Sequence, residues 1–200
     1  MDLAVIALSF AAIFVVELPD KTFIAALVLS TRYRGIYVWI GVGLAFGIQT
    51  LIAVTVGRAV TYLPDDVVKI VAAVIFLVGA VMLVREAPRA DAEEAETEAE
   101  FEARATTSKT GMAAVTASFL VLFAAEWGDL SQLLTISLVS KYDEPVSVFI
   151  GAWAALLAVS GLAVVAGRFL LRHVKLSLVF YAGAAVCLVL EVVTLVELLG

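Results

Sequence analysis

Hydrophobic residues along the chain form six long runs that are separated by short polar segments. The runs cover approximately residues 3–30, 36–61, 66–84, 111–140, 145–169 and 174–198. Each run is close to or above the ~20 residues that an α-helix needs to cross a bilayer. Transmembrane β-strands would instead give segments of about ten residues with alternating polarity, which the sequence lacks. The pattern therefore predicts an all-α membrane protein with six transmembrane helices.

Composition supports a membrane protein and limits its partners. Hydrophobic residues make up 63% of the chain and the mean hydropathy is +1.08, both outside the range of soluble domains. The first run follows Asp2 and not a basic segment, so we expect a retained helix instead of a signal peptide. The net charge of −6 is local, since 8 of the 19 acidic residues lie between Glu86 and Glu102. We expect the lipid bilayer as the surroundings and no nucleic-acid partner, and the pattern leaves a homo-oligomer open.

A six-residue motif occurs twice, each time inside a hydrophobic run. The copies are Glu17-Leu18-Pro19-Asp20-Lys21-Thr22 and Glu126-Trp127-Gly128-Asp129-Leu130-Ser131. Placing a carboxylate in the middle of a membrane costs about 2.5 to 3.5 kcal/mol on insertion scales, and the motifs do so repeatedly. In each motif the two acids are three residues apart and share one helix face. Buried acids at matched positions indicate one functional site built from both copies.

The repeat extends over most of the chain. Ser30 matches Ser140 and Gly41 matches Gly151, each 110 residues later. Each half has three predicted helices, and because three is odd the second half inserts upside down relative to the first, as in many secondary transporters. We therefore predict six transmembrane helices as two inverted three-helix repeats. These are residues 1–84 and 111–200, joined by an acidic linker at 85–110, and their acids would meet near mid-membrane.

Lysine and arginine residues between the runs predict the orientation. The connections 1–2, 3–4 and 5–6 together are rich in these residues, whereas the opposite connections hold only Arg58, Lys69 and Lys141. The positive-inside rule then places the 85–110 linker in the cytoplasm and both termini outside. The linker is rich in glutamate and alanine but has almost no apolar face. We therefore expect a solvated and partly disordered tether.

Pro19 and Gly128 fall between the two acids of their motifs and predict helix breaks. A proline cannot donate a hydrogen bond to the carbonyl four residues earlier, here that of Val15, and glycine weakens a helix by about 1 kcal/mol relative to alanine. Freed carbonyls are tolerated at membrane depth only where protein buries them or where they line a cavity. We therefore expect backbone carbonyl oxygens to be available beside the acids.

The motifs and their neighbours offer oxygen ligands for a metal ion. The expected ligands are four carboxylates, two hydroxyls and one amide oxygen, from Glu17, Asp20, Glu126, Asp129, Thr22, Ser131 and Gln132. Such a shell suits hard cations such as Ca²⁺, Mn²⁺ or Mg²⁺, and the absence of His and Cys from both motifs argues against Zn²⁺ and Cu⁺. Four negative groups also exceed what one monovalent ion would neutralise, so a divalent ion fits better.

The same acids, Glu17, Asp20, Glu126 and Asp129, would couple metal transport to protons. Clustered carboxylates in a poorly solvated site titrate as a group, so without the metal some of them hold protons. Metal entry would expel these protons and returning protons would expel the metal, which together with alternating access gives cation/proton antiport. Lys21 has no counterpart in the second motif, so it is either a counter-ion that pairs with Asp20 or a side chain that extends towards water.

At these residues the chain resembles the transmembrane protein 165 type of cation/proton exchangers, which occur in Golgi membranes, chloroplasts and bacteria. Their signature is a twice-repeated Glu-x-Gly-Asp-Lys/Arg-Thr/Ser motif on the first and fourth of six helices, and the resemblance covers essentially the whole chain. It implies export of Mn²⁺ and/or Ca²⁺ from the cytoplasm in exchange for protons, with these ions as substrates and no cofactor. It also implies an ion-binding role for the signature positions Glu17, Asp20, Thr22, Glu126, Asp129 and Ser131.

The chain departs from that signature at two positions. Pro19 replaces the glycine of the first motif, and Leu130 replaces the basic residue of the second. The proline would fix the helix break more rigidly, and the leucine removes a positive charge from the site. The short chain, without a targeting extension, resembles the bacterial members and suggests the plasma membrane. Outside the motifs, Glu191 lies towards the end of the sixth run, and we expect it at the membrane interface.

Three other functions compete with the antiporter. An exporter of small organic solutes would bind an amine on some of the acids, but little aromatic lining lies near the motifs. An intramembrane metalloenzyme would hold its metal on the same acids, but it would need a nucleophile or general base near a headgroup-level opening. A purely structural subunit leaves the buried charges unexplained. We therefore predict a transporter and not an enzyme.

Overall fold

The computed structural model describes residues 1–18, 20–104, 109–173 and 175–199, and these form eight α-helices and no β-strand. In chain order the helices are α1 Leu3–Glu17, α2 Lys21–Arg32, α3 Gly35–Val60, α4 Asp65–Arg104, α5 Met112–Ala125, α6 Leu130–Tyr142, α7 Pro145–His173 and α8 Leu176–Leu199.

Six membrane crossings account for the eight helices. Four crossings are unbroken and lie in α3, α4, α7 and α8, at Gly35–Val60, Asp66–Ala90, Pro145–Ala166 and Ser177–Leu199. The other two are broken, because α1 and α2 meet at 72° and α5 and α6 meet at 74°. The predicted six crossings are confirmed, and both breaks lie at the repeated motif.

The two halves pack against each other as inverted repeats. Gly41 of α3 lies against α5, where an added Cβ would be 3.0 Å from Ser118 Cβ. Gly151 of α7 lies against α1, where an added Cβ would be 2.9 Å from Ser9 Cβ. Gly41 is equivalent to Gly151 in the sequence repeat, and Ser118 is equivalent to Ser9. The same close helix crossing therefore occurs twice. Small residues at these points allow the backbones to approach closely.

Helices α3 and α7 form the central pair between the halves. The indole Nε1 of Trp39 donates to the Leu157 carbonyl, and that of Trp153 donates to the Gly43 carbonyl, each at 2.9 Å. The shorter helix α2 packs on α7, and α6 packs on α3. The two broken crossings are thus supported by this central pair, which brings their breaks to the middle of the bundle.

The membrane face at which α4 leads to α5 is called the linker side below, and the opposite face the terminal side. On the terminal side the Met1 amino group is 3.4 Å from the Glu144 carboxylate, at the connection between α6 and α7. Lys141 near the end of α6 is 3.3 Å from Glu197 near the end of α8. The first residue, the α6–α7 connection and the end of α8 therefore share one face, as six crossings require.

The segment predicted to be a tether is helical in the structure up to Arg104. Helix α4 continues beyond its membrane span without a break at residue 85. Phe101 belongs to the main hydrophobic core, and Arg32 at the end of α2 is 3.8 Å from Glu102. Alanine and glutamate are strong helix formers, and Phe101 gives the segment an apolar contact with the bundle. The expected disorder is therefore wrong as far as Arg104, and the next four residues lie outside the described part.

Candidate functional site

Each motif lies where a membrane crossing breaks, and the break positions its two acids. Glu17 is the last residue of α1, and Asp20 precedes α2, where its Oδ1 accepts a hydrogen bond from the Lys21 backbone N–H at 2.6 Å. In the second motif Glu126 follows α5 and Asp129 caps α6 in a similar way. Aspartate is favoured at such positions because its carboxylate satisfies N–H groups that a helix start leaves free.

The two breaks bring four carboxylates together. One oxygen from each of Glu17, Asp20, Glu126 and Asp129 lies within 4.8 Å of the others. Glu17 and Glu126 are buried, and Asp20 and Asp129 are half-buried. The predicted convergence of the four acids is confirmed. Carboxylates at this spacing repel one another when they are ionised, so the arrangement requires cations or protons between them.

Several oxygen atoms of the site have no hydrogen-bond partner among the described residues. Both carboxylate oxygens of Glu17 and the hydroxyl of Thr22 are buried without one. Ser131, the equivalent of Thr22 in the second motif, is also buried. An unpaired buried polar group costs about 1 to 3 kcal/mol, and more when it is charged. The unpaired oxygens therefore point to a bound cation or to protons as the missing partners.

Gln132, one of the predicted ligands, is hydrogen-bonded to the backbone of the second break. Its Nε2 donates to the Glu126 carbonyl, and its Oε1 accepts the Gly128 N–H at 3.3 Å. Gly128 has a φ of +82°, a conformation that glycine adopts without a steric penalty. The amide group of Gln132 thus stabilises the turn that places Glu126 and Asp129.

The backbone of the first break is also hydrogen-bonded. The Glu17 carbonyl accepts the Asp20 N–H at 3.1 Å, and the Phe14 carbonyl accepts the Leu18 N–H at 3.0 Å. The Glu17 carbonyl and the Glu126 carbonyl, which accepts from Gln132, are therefore both hydrogen-bonded. They are less available to bind a cation than the sequence suggested. The predicted break is present between α1 and α2, whereas Pro19 itself lies outside the described residues.

Lys21 is exposed and, within the described part of the chain, forms no ion pair within 4.0 Å. Its contact with Asp20 runs through its backbone N–H and not through its ammonium group. The side chain lines a cavity beside the acids. The ammonium group of Lys21 thus forms no ion pair with Asp20, although its charge lies close to the site.

A cavity of about 190 Å³ leads from the site to the linker side. Asp20, Glu126 and Asp129 line it together with Lys21 and Glu86, whereas Glu17 does not. Glu86 is exposed and lies two residues after the apolar run of α4, so it marks the mouth of the cavity. From the sequence Glu86 was only one of the linker acids, because its position beside the site depends on how α4 packs against the broken helices.

The other side of the site is nearly closed. Next to Glu126 and Ser131 the described residues leave a cavity of about 10 Å³, which is also lined by Gln49, Thr50 and Thr135. A volume of roughly 10 to 15 Å³ is the minimum for one water molecule. These residues lie towards the terminal side of α3 and α6, so the site is open to the linker side and closed towards the terminal side.

The sequence profile of the divalent cation/proton antiporter GDT1 matches the chain twice, at residues 5–91 and 114–200. Each match covers one half of the structure and contains one motif. The profile thus follows the same repeat that the packing shows, and the two matches leave out only residues 1–4 and 92–113.

The chain is similar along most of its length to plant and cyanobacterial proteins. It is 32% identical over 209 residues to Protein PAM71, chloroplastic, of Arabidopsis thaliana, covering 95% of this chain and 56% of that protein. It is 29% identical over 213 residues to GDT1-like protein 1, chloroplastic, of Oryza sativa subsp. indica, covering 96% and 62%. It is 33% identical over 189 residues to GDT1-like protein sll0615 of Synechocystis sp., covering 87% and 91%.

The chain spans little more than half the length of the plant relatives, whereas it spans most of the cyanobacterial one. No solved structure gives a significant match. The family is defined by transport and not by catalysis, and both halves of the chain carry its profile. The chain therefore belongs to the GDT1 divalent cation/proton antiporter family, and it is a multi-pass membrane protein.

Proposed function

We propose that this protein exports Mn²⁺ and/or Ca²⁺ from the cytoplasm in exchange for protons, with the divalent cation bound as substrate between the two helix breaks. The observation that carries the proposal is the cluster of four carboxylates with ligand oxygens within 4.8 Å of one another. An all-oxygen shell rich in carboxylates suits these hard cations. The family assignment supports the same class of substrate.

The proposed ligands are the six side chains at equivalent positions of the two motifs: Glu17, Asp20, Thr22, Glu126, Asp129 and Ser131. The unpaired oxygens of Glu17 and Thr22 support this assignment, because a cation would give them the partner that they lack. Gln132 takes a positioning role in this proposal, since its amide group is already bound to the backbone of the turn.

Protons replace the metal in the proposed cycle. Four ionised carboxylates at this spacing and without a cation would repel one another strongly, so an empty site keeps some of them protonated. A divalent cation neutralises two of the negative charges and displaces the protons. The buried position of Glu17 and Glu126 supports this exchange, because little water is available to screen their charges.

The open cavity on the linker side supports the proposed direction, from the cytoplasm outwards. Lysine and arginine residues concentrate on the linker side, so the positive-inside rule assigns that side to the cytoplasm and both termini to the outside. The 190 Å³ cavity then lets cytoplasmic cations reach the acids. We further infer that the bilayer is a plasma membrane with the 85–110 linker in the cytoplasm.

Metal transport in proteoliposomes under an imposed pH gradient tests this function. We expect Mn²⁺ or Ca²⁺ to move against the proton flux in the wild type, and transport to be lost in Glu17→Gln and Asp129→Asn, which remove ligand charges from different halves. Glu144→Gln, outside the site at the α6–α7 connection, is the matched control and should transport normally. Proton flux that does not require metal, or unaltered metal transport in both site variants, would contradict the proposal.

A further inference from the structure

Glu191 of α8 is a buried carboxylate that lies outside both motifs. It is 9% exposed, and its Oε2 has no hydrogen-bond partner in the described part of the chain. The sequence predicted Glu191 at the membrane interface, and the structure adds that its side chain is buried against other helices. A carboxylate in the interior of a membrane protein is costly, and a functional role is the default explanation.

The neighbours of Glu191 show which helices it faces. Cys187, one turn earlier on α8, is fully buried and lies 3.4 Å from the position of a Cβ added to Gly79 of α4. Leu130, the first residue of α6, lies 3.0 Å from the same position. Residues four apart share a helix face, so Glu191 lies on the face of α8 that packs on α4, beside the start of α6.

Contacts near the ends of α6 and α8 close this interface on the terminal side. The buried side chain of Lys141 donates to Thr194 Oγ1 at 3.0 Å and is 3.3 Å from Glu197 Oε2. Lys69 of α4 donates to the Glu197 carbonyl at 3.0 Å. Thr194 is one turn beyond Glu191, which therefore lies between the metal site and this closed end. Among the described residues, the titratable groups along the interface are Cys187, Glu191 and Glu197 on α8, Lys69 on α4, and Lys141 and Tyr142 on α6.

The inverted repeat relates this interface to the open cavity on the linker side. Helices α4 and α8 share the pattern Phe-x-x-Gly-Ala at 76–80 and 180–184, an offset of 104 residues. Gly79 lies beside Cys187, and a Cβ added to Gly183 would be 3.2 Å from Leu83. At the same offset Gly79 corresponds to Gly183, and Leu83 corresponds to Cys187, so the two contacts are equivalent. The sequence alignment of α4 with α8 therefore agrees with their packing.

Exchange of the halves places Glu191 one residue from the position that corresponds to Glu86, which lines the open cavity. On the linker side, Leu83 and Glu86 of α4 line the open cavity. At the offset of 104 residues Cys187 takes the place of Leu83, and Glu191 takes the place of Ala87, directly beside that of Glu86. In the first half Glu86 is about one turn from Leu83, and in the second half Glu191 is about one turn from Cys187. The two acids have similar positions, although they do not align with each other in the repeat.

We propose that Glu191 is a further transport residue, the carboxylate of a cavity that opens on the terminal side when α6 moves away from α8. In that state Glu191 faces the outer solution and transfers protons between the solution and the four-acid site as the metal leaves. Opening requires Lys141 to leave Thr194 and Glu197. This inference rests on the proposed antiport, because it assigns Glu191 a step in that cycle.

Transport and binding measurements on Glu191→Gln separate this role from a structural one. We expect proton-driven Mn²⁺ transport by the full chain in proteoliposomes to fall at least about a hundredfold, the lower end of what a proton-transferring side chain contributes, while Mn²⁺ affinity in detergent stays within about twofold. Glu191→Asp should retain most of the transport, and Glu144→Gln is the control. Wild-type transport rates in Glu191→Gln would overturn the proposal.

The only cysteine of the chain, Cys187, gives a second test that needs no variant of Glu191. A membrane-impermeant maleimide added on the terminal side should label Cys187 in the wild type during turnover with Mn²⁺ and a pH gradient, and faster in Lys141→Met. Absence of labelling from that side in both proteins would overturn the cavity. Wild-type proteoliposomes that lack proton-driven Mn²⁺ transport would instead contradict the antiport itself, and labelling would still test the cavity.

Discussion

The two helix breaks place equivalent acids by different local structures. In the second break Gly128 adopts a φ of +82° and Gln132 stabilises the turn. Proline is fixed at a φ of about −65°, so Pro19 cannot take the conformation of Gly128. Phe23 occupies the position in the first half that corresponds to Gln132. The feature shared by the halves is therefore the placement of the acids, whereas the means of breaking the helix differ.

The acids also differ in their access to water. Glu17 is fully buried and its carboxylate has no partner among the described residues, whereas Glu126 lines both the open cavity and the small one. A cation that enters from the linker side meets Asp20, Glu126 and Asp129 first, since these three line the cavity. Glu17 is thus the acid that depends most on a bound cation or proton.

Glu17→Gln should have the largest effect. The variant removes a buried ionisable group without a partner, so we expect the metal-free protein to unfold at the same or a higher temperature than the wild type. Saturating Mn²⁺, which at one hundred times its Kd would stabilise the wild type by about 2.7 kcal/mol, should no longer raise the Tm. Thermal unfolding with and without MnCl₂ checks both effects. An equal metal-induced rise in the variant would show that Glu17 is not a ligand.

Gln132→Leu should have an intermediate effect that is confined to the second half. Loss of both amide contacts lets the turn move, and residues that orient metal ligands typically contribute about 10- to 100-fold in affinity, so we expect at least a tenfold rise in the Kd for Mn²⁺. Phe23→Leu at the equivalent position of the first half is the control and should lower stability with little change in the Kd. Calorimetric titration distinguishes the two, and an equal rise of the Kd in both variants would contradict the difference between the breaks.

Lys21→Leu should have the smallest effect, because it gives the first motif the residue that the second already has. Removing a positive charge from the cavity should tighten Mn²⁺ binding by about two- to fivefold at low salt, and the gain should shrink as ionic strength rises. Lys21→Arg, which keeps the charge, is the control. Weaker binding in Lys21→Leu would mean that the lysine supports Asp20 instead of competing with the cation.

The membrane crossings and the convergence of the four acids could be predicted from the sequence because a bilayer constrains both strongly. Long apolar runs must form helices, and carboxylates inside them are too costly to occur without a role. Spacing could not predict that the amide of Gln132 meets the Glu126 carbonyl, since this contact depends on the backbone turn at Gly128. The burial of Glu191 depends in the same way on the packing of α8 against its neighbours, mainly α4.

The linker was mispredicted for a related reason. Its charge pattern suggested a solvated chain, yet strong helix formers extend α4 to Arg104 and Phe101 joins the core. The sequence also could not predict the side of the membrane to which the site is open. The two halves are nearly equivalent in their motifs, and only the packed structure distinguishes a cavity of about 190 Å³ from one of about 10 Å³.

The most direct measurement is the number of protons released when Mn²⁺ binds to the purified protein. Protons and the metal compete for the same carboxylates, so Mn²⁺ affinity should rise with pH and fall as the acids become protonated. Calorimetric titrations near neutral pH in buffers with different ionisation enthalpies give the proton count. We predict that at least about one proton is released for each Mn²⁺ bound, since four acids share the site. Binding of Mn²⁺ with no proton release and no dependence on pH would contradict it.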